Sequence, residues 1–252
     1  MQVLPWNDSN FPQFLGKETA VTIGSFDGLH KGHRMLVDTL TRISAEKLYV
    51  PAVITFTRPL PAIKHAGDYA GDISSLPQRL ALFEQLGIES VILVDFTDKF
   101  AAVSGTDFLS SLVQRINMKC LVEGFDFHCG YKRKTTRTDI AAWAAAAHVE
   151  THFVPPVYCK TKDGKTARIS SSFIRHMILD GDFSAAAELL TRPYELDRAE
   201  MRRAAATNSA FTQLLPPDGN YRALSESGEP ISIEVKAGKL INLPGCMSAK
   251  FV

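Results

Sequence analysis

The chain has 252 residues, of which 45 % are hydrophobic and 22 % charged, and its formal net charge is +1. That size suits one ordinary domain with a small companion, and the balanced charge excludes the overall footprint of a nucleic-acid-binding or membrane-surface protein. No stretch approaches about 18 consecutive apolar residues, so no membrane span is expected, and Met1 to Gln13 lacks the basic-then-apolar order of a signal peptide.

The first β-type run is Thr19-Ala-Val-Thr-Ile-Gly24, which ends in a glycine-rich turn. A helical pattern follows from Gly32 to about Leu48. The next β run, Pro51 to Phe56, stops at a proline-rich loop, Pro59-Leu60-Pro61. Ser75 is placed to cap a helix through Gln78, Leu82 and Leu86, which Gly87 closes. Ser90 to Asp95 reads as a buried strand, Thr106 to Ile116 as a helix and Lys119 to Glu123 as a fourth strand. Asp139 to Val149 is an alanine-rich helix around Trp143, and His152 to Pro155 is a fifth strand. Apolar strands without alternation, interleaved with helices, predict a Rossmann-like α/β fold with a parallel sheet. Ligands of such sheets bind beyond the carboxyl ends of the strands, which points to three loops on one rim: Gly24–His33, Phe56–Lys64 and Gly124–Arg137.

The pattern changes after Tyr194. Asp197 to Ser209 reads as a linking helix, and from Phe211 short alternating runs are punctuated by Pro217-Asp-Gly219, Ser227-Gly228, Ala237-Gly238 and Pro244-Gly245. Ile231 to Val235 and Lys239 to Leu243 are two of about four strands in a small all-β tail. The expected division is therefore 1–196 for the α/β domain and 197–252 for a linker helix with a β tail. The four cysteines, Cys120, Cys129, Cys159 and Cys246, contain no C-x-x-C. Their spacing suggests neither a disulfide framework nor a zinc site, and a reduced, cytoplasmic compartment is expected.

The chemistry concentrates in Gly24 to His33, which reads G-S-F-D-G-L-H-K-G-H. Gly24, Gly28 and Gly32 let backbone approach a phosphate closely, and Ser25, Phe26 and Asp27 complete the turn. The following helix start adds unpaired N–H groups and the positive end of its dipole. His30 and His33, three residues apart, can donate hydrogen bonds to charge developing on an α-phosphate during in-line displacement. A second group, Ile169 to Arg175, opens a helix with Ser170, Ser171 and Ser172 and places Arg175 one turn on, a set able to gather on one anion such as the β- and γ-phosphates of ATP. A third, Glu123 to Gly130 with the basic run to Arg137, combines carboxylates, aromatic rings and cations that suit a metal ion, a ring or a phosphate. His65, His128, His148, His152 and His176 show no ligand spacing.

These segments, in this order, resemble the N-terminal module of the prokaryotic bifunctional FAD synthetases (riboflavin kinase/FMN adenylyltransferase). That family shows G-x-F-D-G-x-H-x-G-H, T-F-x-P-H-P, G-x-D-F-x-F-G, I-S-S-T-x-I-R and G-D-x-x-x-A-x-x-L-L-G-R-P-Y. The chain offers Gly24–His33, Thr55-Phe56, Gly124–Gly130, Ile169–Arg175 and Gly181–Tyr194. The likeness runs from about Thr19 to Leu196.

The resemblance implies an enzyme that converts ATP and FMN, with Mg2+, to FAD and pyrophosphate. It implies that His30 and His33 stabilise the α-phosphate and that Ser171, Ser172 and Arg175 hold the triphosphate. Thr55, Phe56, Gly124, Asp126 and Phe127 would line the flavin side, with Asp126 also the candidate for metal. ATP and FMN are the partners expected; nucleic acid and membrane are not.

Four departures stand out. The family's P-H-P is Pro59-Leu60-Pro61, Cys129 replaces the aromatic before Gly130, Ser172 replaces a threonine, and a Lys/Arg/Thr run replaces R-x-G-D. The tail contains no P-T-A-N run, so riboflavin kinase activity is not expected. Its open β edges suggest self-association into a homo-oligomer. The residues also leave open a different phosphate-bearing acceptor, or a nucleotide- or flavin-binding protein without catalysis.

Overall fold

In a computed structural model of the chain, the structure describes residues 1–6, 17–64, 67, 69–207, 212–241 and 248–251. Expectations falling on His65, Ser209, Phe211, Asn242, Leu243, Pro244, Gly245 and Cys246, and on most of the N-terminal segment, lie outside these residues. The elements in chain order are β1 (Gln2–Pro5), β2 (Thr19–Ile23), α1 (Lys31–Lys47), β3 (Val50–Phe56), α2 (Leu60–Lys64), α3 (Leu76–Gln85), β4 (Ser90–Val94), α4 (Asp98–Ala101), α5 (Gly105–Ile116), β5 (Met118–Gly124), α6 (Arg137–Ala147) and β6 (Glu150–Val154). There follow β7 (Tyr158–Lys160), β8 (Thr166–Arg168), α7 (Ser171–Leu179), α8 (Phe183–Leu190), β9 (Glu195–Leu196), α9 (Arg198–Thr207), β10 (Gly219–Leu224), β11 (Pro230–Lys236), β12 (Lys239–Leu240) and β13 (Ala249–Phe251). Among the described residues no helix is long and apolar enough to cross a membrane.

The chain divides into two compact units. The first comprises Met1–Ser25, His33–Ile63 and Leu80–Pro156, the second Phe26–Gly32, Lys64–Arg79 and Val157–Val252.

The first unit is built on a six-stranded sheet in the order β1-β4-β3-β2-β5-β6, with every neighbour pair parallel. All residues of β2 and β3 are buried, as their unbroken apolar runs require when both faces are covered. The core joins Val21, Ile54 and Ile92 to Leu109, Leu112 and Ile116 of α5 and to Ile140 and Ala144 of α6. Thr136 caps α6 with a capping box, accepting from the Asp139 N–H while its own N–H donates to the Asp139 carboxylate. The strand order reverses between β2 and β5, the switch point at which doubly wound sheets open a crevice at their carboxyl ends. Gly24 and Gly124 stand at those two ends. The parallel Rossmann-like sheet is therefore the one that the apolar runs predict.

Two expectations change here. The proline-rich stretch after Phe56 is not all loop: α2 starts at Leu60, where Pro61 is compatible with a first helical turn because its missing N–H has no partner there anyway. The short, largely exposed β1 also joins the sheet edge beside β4, and its four residues ending in a proline give no strand signal of their own.

The second unit has a five-stranded sheet in the order β12-β11-β10-β13-β9, antiparallel at every pair. The turn Ala237-Gly238 joins β11 to β12 with φ of +52° and +66°, the geometry of a tight hairpin, and Asp218 accepts hydrogen bonds from both of its N–H groups. The tail's β13 lies between β10 and β9, so Glu195–Leu196 belongs to the same sheet as the C-terminal strands. Their apolar face packs with α7 and α8 through Ile174, Ile178, Phe183, Leu190, Tyr194, Ile233 and Phe251.

Candidate functional site

Most of the glycine-rich motif, Phe26–Gly32, lies in the second unit, ahead of the body of α1. Three of its residues have positive φ: Phe26 (+48°), Gly28 (+79°) and Leu29 (+42°). At Gly28 a side chain would be strained and its Cβ would lie 3.0 Å from Ile73, so glycine is required twice over. Gly32 has a different reason: a Cβ there would sit 3.2 Å from the His30 ring.

The loop is held by a buried polar network. The Asp27 carboxylate, 2 % exposed, accepts from the Ile73 N–H (3.1 Å) and the Ser74 N–H (3.0 Å) and forms an ion pair with Arg175. Arg175 also donates through Nε to the Gly71 carbonyl (2.9 Å) and through its terminal nitrogen to the Tyr69 hydroxyl (2.9 Å), with the guanidinium 4.8 Å from the Tyr69 ring centre. The Tyr69 hydroxyl donates to Asp72 (2.8 Å). Ser171 Oγ donates to the Asp27 carbonyl (2.8 Å), Arg192 donates to the Gly28 carbonyl (2.7 Å), and the Gly28 N–H donates to Ser74 Oγ (2.9 Å).

His30 is 4 % exposed. Burial lowers its pKa to about 4, partly opposed by a hydrogen bond to its own backbone and assisted by the positive charges of Arg168, Arg192 and Arg175. At neutral pH it is a neutral imidazole in surroundings of positive potential. Such surroundings attract an anion.

The serine group takes three separate positions. Ser170 is the N-cap of α7, accepting from the Phe173 N–H (3.2 Å). Ser171 is tied to Asp27, and Ser172 is exposed on the first helical turn. The anion that Arg175 meets is the protein's own Asp27. Its guanidinium is buried in that network, with Asp27, Gly71 and Tyr69 as its partners.

In the first unit Gly24 donates to the Ile54 carbonyl (3.0 Å), Ser25 Oγ accepts from the Leu60 N–H (3.1 Å), and Thr55 Oγ1 donates to the Ser25 carbonyl (3.4 Å). Thr55 and Phe56, expected on the flavin side, are both buried. Phe56 makes edge contacts with Phe96 (5.8 Å) and Phe100 (6.5 Å), so its ring is part of the core. His33 is half-buried on the first turn of α1.

Glu123 is buried and accepts from the Ile23 N–H (2.6 Å); burial raises its pKa well above the carboxylate range. Beyond it, Gly124 starts a turn closed by the Phe127 N–H (2.9 Å), with Phe127 half-buried against the core and Asp126 exposed. Phe125 is exposed as well, with the Arg137 guanidinium 3.9 Å from its ring centre.

Several of these contributors carry no motif signal. Tyr69 and Arg168 lie outside every recognised pattern, and the stacking of Arg137 on Phe125 joins residues on opposite sides of the loop. Arg192 belongs to the R-P-Y run, whose position alone does not reveal that it holds Gly28.

Comparison with known proteins agrees with this architecture. The FAD synthetase family profile matches residues 14–173. Over 192 residues the chain is 32 % identical to the bifunctional riboflavin kinase/FMN adenylyltransferase of Bacillus subtilis, covering 73 % of this chain and 58 % of that protein. The Escherichia coli K12 protein of the same name is 29 % identical over 189 residues, with 74 % and 58 % covered. A Listeria monocytogenes protein named FAD synthetase is 25 % identical over 178 residues, with 71 % and 70 % covered. A crystal structure described as a macrolide-efflux protein from Streptococcus pneumoniae shares the fold, with a TM-score of 0.74 at 23 % identity over 99 % of this chain and 84 % of that one. The chain thus spans 58 % of the length of the first two relatives. With well over half of its residues inside the matching profile, the chain belongs to the FAD synthetase family.

Proposed function

We propose that the chain is an FMN adenylyltransferase, joining ATP and FMN to give FAD and pyrophosphate. Family membership supports the reaction class. The structural observation that carries the reading is His30, a buried neutral imidazole on a glycine-rich loop ahead of a helix, with three arginines contributing positive potential. In the proposed step an oxygen of the FMN phosphate attacks the α-phosphorus of ATP in line. One P–O bond forms as the bond to the leaving pyrophosphate breaks. His30 and His33 donate hydrogen bonds to the charge gathering on the α-phosphate oxygens, and the exposed Ser172 with the α7 N-terminus receives the outer phosphates. Asp27, Ser171, Arg175 and Arg192 hold the loop in shape.

Mg2+ enters with ATP as part of the substrate. Asp126, an exposed carboxylate, fits an ion bound chiefly through phosphates. Glu123 does not, because it is buried and engaged with backbone N–H.

The proposed activity is adenylyl transfer alone, assigned to residues 1–196. The segment 197–252 is proposed as a remnant of the kinase barrel that completes the fold. Self-association through its sheet edge is proposed on that open edge alone, and light scattering of the purified chain tests it.

Mass spectrometry of the purified protein with FMN, ATP and Mg2+ is the direct test. FAD and pyrophosphate are expected, and ATP binding without FAD formation refutes the reading. A different phosphate-bearing acceptor is favoured by one feature: Leu60 occupies the family's histidine position and opens α2. In a thermal-shift panel FMN is expected to stabilise the protein by mass action, and a response only to other phosphates selects that second reading.

A further inference from the structure

We propose that Cys120, Glu150 and His152 form a binding site for a divalent transition-metal ion of the zinc type. β5 and β6 are parallel neighbours, and their register sets Cys120 opposite Glu150 and Val122 opposite His152. Because strand side chains alternate, Glu150 and His152 share a face of β6. One ligand atom from each of the three residues lies within 4.8 Å of the others. His152 Nε2 and Glu150 Oε1 are already 2.8 Å apart.

The donor set is a thiol, an imidazole and a carboxylate. Such sets select zinc, cobalt or cadmium over magnesium, and three protein ligands leave a fourth tetrahedral position for water. Sequence spacing conceals the site, because Cys120 and Glu150 are thirty residues apart and neither lies in a ligand motif.

Among the described residues, Lys47 also faces the cluster, paired with Glu150. Both side chains are partly exposed, so solvent screens their attraction and a divalent ion displaces the ammonium. Burial keeps Cys120 as a thiol, raising its pKa to about 12. On coordination the sulfur–metal bond forms and the thiol proton leaves to solvent. The site lies toward the amino ends of β5 and β6, whereas Gly24, Phe56 and Gly124 stand at the carboxyl ends of their strands, so it is separate from the loops assigned to substrate.

Cobalt(II) titration of the full chain, followed by absorption, tests the proposal. One equivalent is expected to give a thiolate-to-cobalt charge-transfer band in the near ultraviolet. The band should vanish in Cys120→Ser, and affinity should fall at least about tenfold in His152→Gln. Cys120 is in the core and its variant can fail for structural reasons; His152 is partly exposed, so its variant keeps the test readable. Absence of the band in the natural sequence, or an unaltered titration in His152→Gln, overturns the assignment.

Discussion

At the scale of single residues, the protonation of His30 connects the fold to the proposed chemistry. Its pKa is lowered to about 4 in the folded chain against 6.5 for an unhindered imidazole. The unfolded chain therefore binds more protons between those values, and acid favours unfolding: stability that is present above about pH 6.5 is lost as pH falls toward 4. Between pH 7 and pH 5 the loss from this one group is about 2 kcal/mol. Urea unfolding at the two pH values should show that difference in the natural protein and much less of it in His30→Gln, since other titrating groups act on both alike. The same substitution should lower turnover by one to a few powers of ten if the imidazole N–H meets the transition state, and an unchanged rate would remove that role.

The Asp27–Arg175 pair makes a second residue-scale prediction. Both groups are buried and Asp27 has additional backbone donors, so removing either partner strands the other. Asp27→Ala takes the directly paired carboxylate away from a buried guanidinium and should cost about 3–5 kcal/mol in urea unfolding. Asp27→Ala with Arg175→Met removes the stranded charge and should recover part of that loss. A double variant no more stable than Asp27→Ala would show that the backbone bonds to Asp27, and not its charge, hold the loop.

At the scale of elements, two glycines hold the third constellation in place. A Cβ on Gly130 would lie 2.1 Å from the Gly105 N, and one on Gly105 would lie 2.4 Å from Thr135 Oγ1. Gly130 also has φ of +73°, so alanine is opposed by both strain and contact. Gly130→Ala should displace the 124–137 loop from the start of α5, lowering stability by about 1–3 kcal/mol. On the proposed function it should raise KM for FMN more than KM for ATP, which steady-state kinetics reads directly.

The sequence displays Gly130 as the last letter of a motif and is silent about Gly105, because close approach between distant segments leaves no local pattern. Elements whose physics is local were legible. The runs of β2 and β3 are buried throughout, and Ser75 does cap α3, accepting from the Gln78 N–H (3.2 Å) while Gln78 returns a bond to the Ser75 N–H (3.0 Å). Elements that depend on distant partners were not. β1 exists because β4 offers it an edge, the β7–β8 hairpin has only three residues per strand, and the anion met by Arg175 lies 148 positions away in the chain.

At the scale of the whole molecule, the C-terminal strands share a core with the glycine-rich loop. Phe251 of β13 stacks on Phe183 (4.6 Å between ring centres) and on Tyr194 (5.7 Å), and meets Tyr221 edge-on (5.8 Å). The Tyr194 hydroxyl donates to the Leu214 carbonyl, closing the same core from the other side. That core includes Leu190 and Ile73, the two side chains nearest to Gly28. The tail and the loop bearing His30 thus share one hydrophobic core, so the tail supports the loop through packing. Phe251→Ala removes a ring that is 1 % exposed and should cost about 3–5 kcal/mol. If the shared core holds the loop, the variant should also bind ATP more weakly at temperatures where its far-ultraviolet circular dichroism is still native. Calorimetric titration below the melting transition checks this. Unchanged ATP affinity in a folded but destabilised variant would show that the tail supports the sheet alone and that the loop is held by its polar network without help from the core.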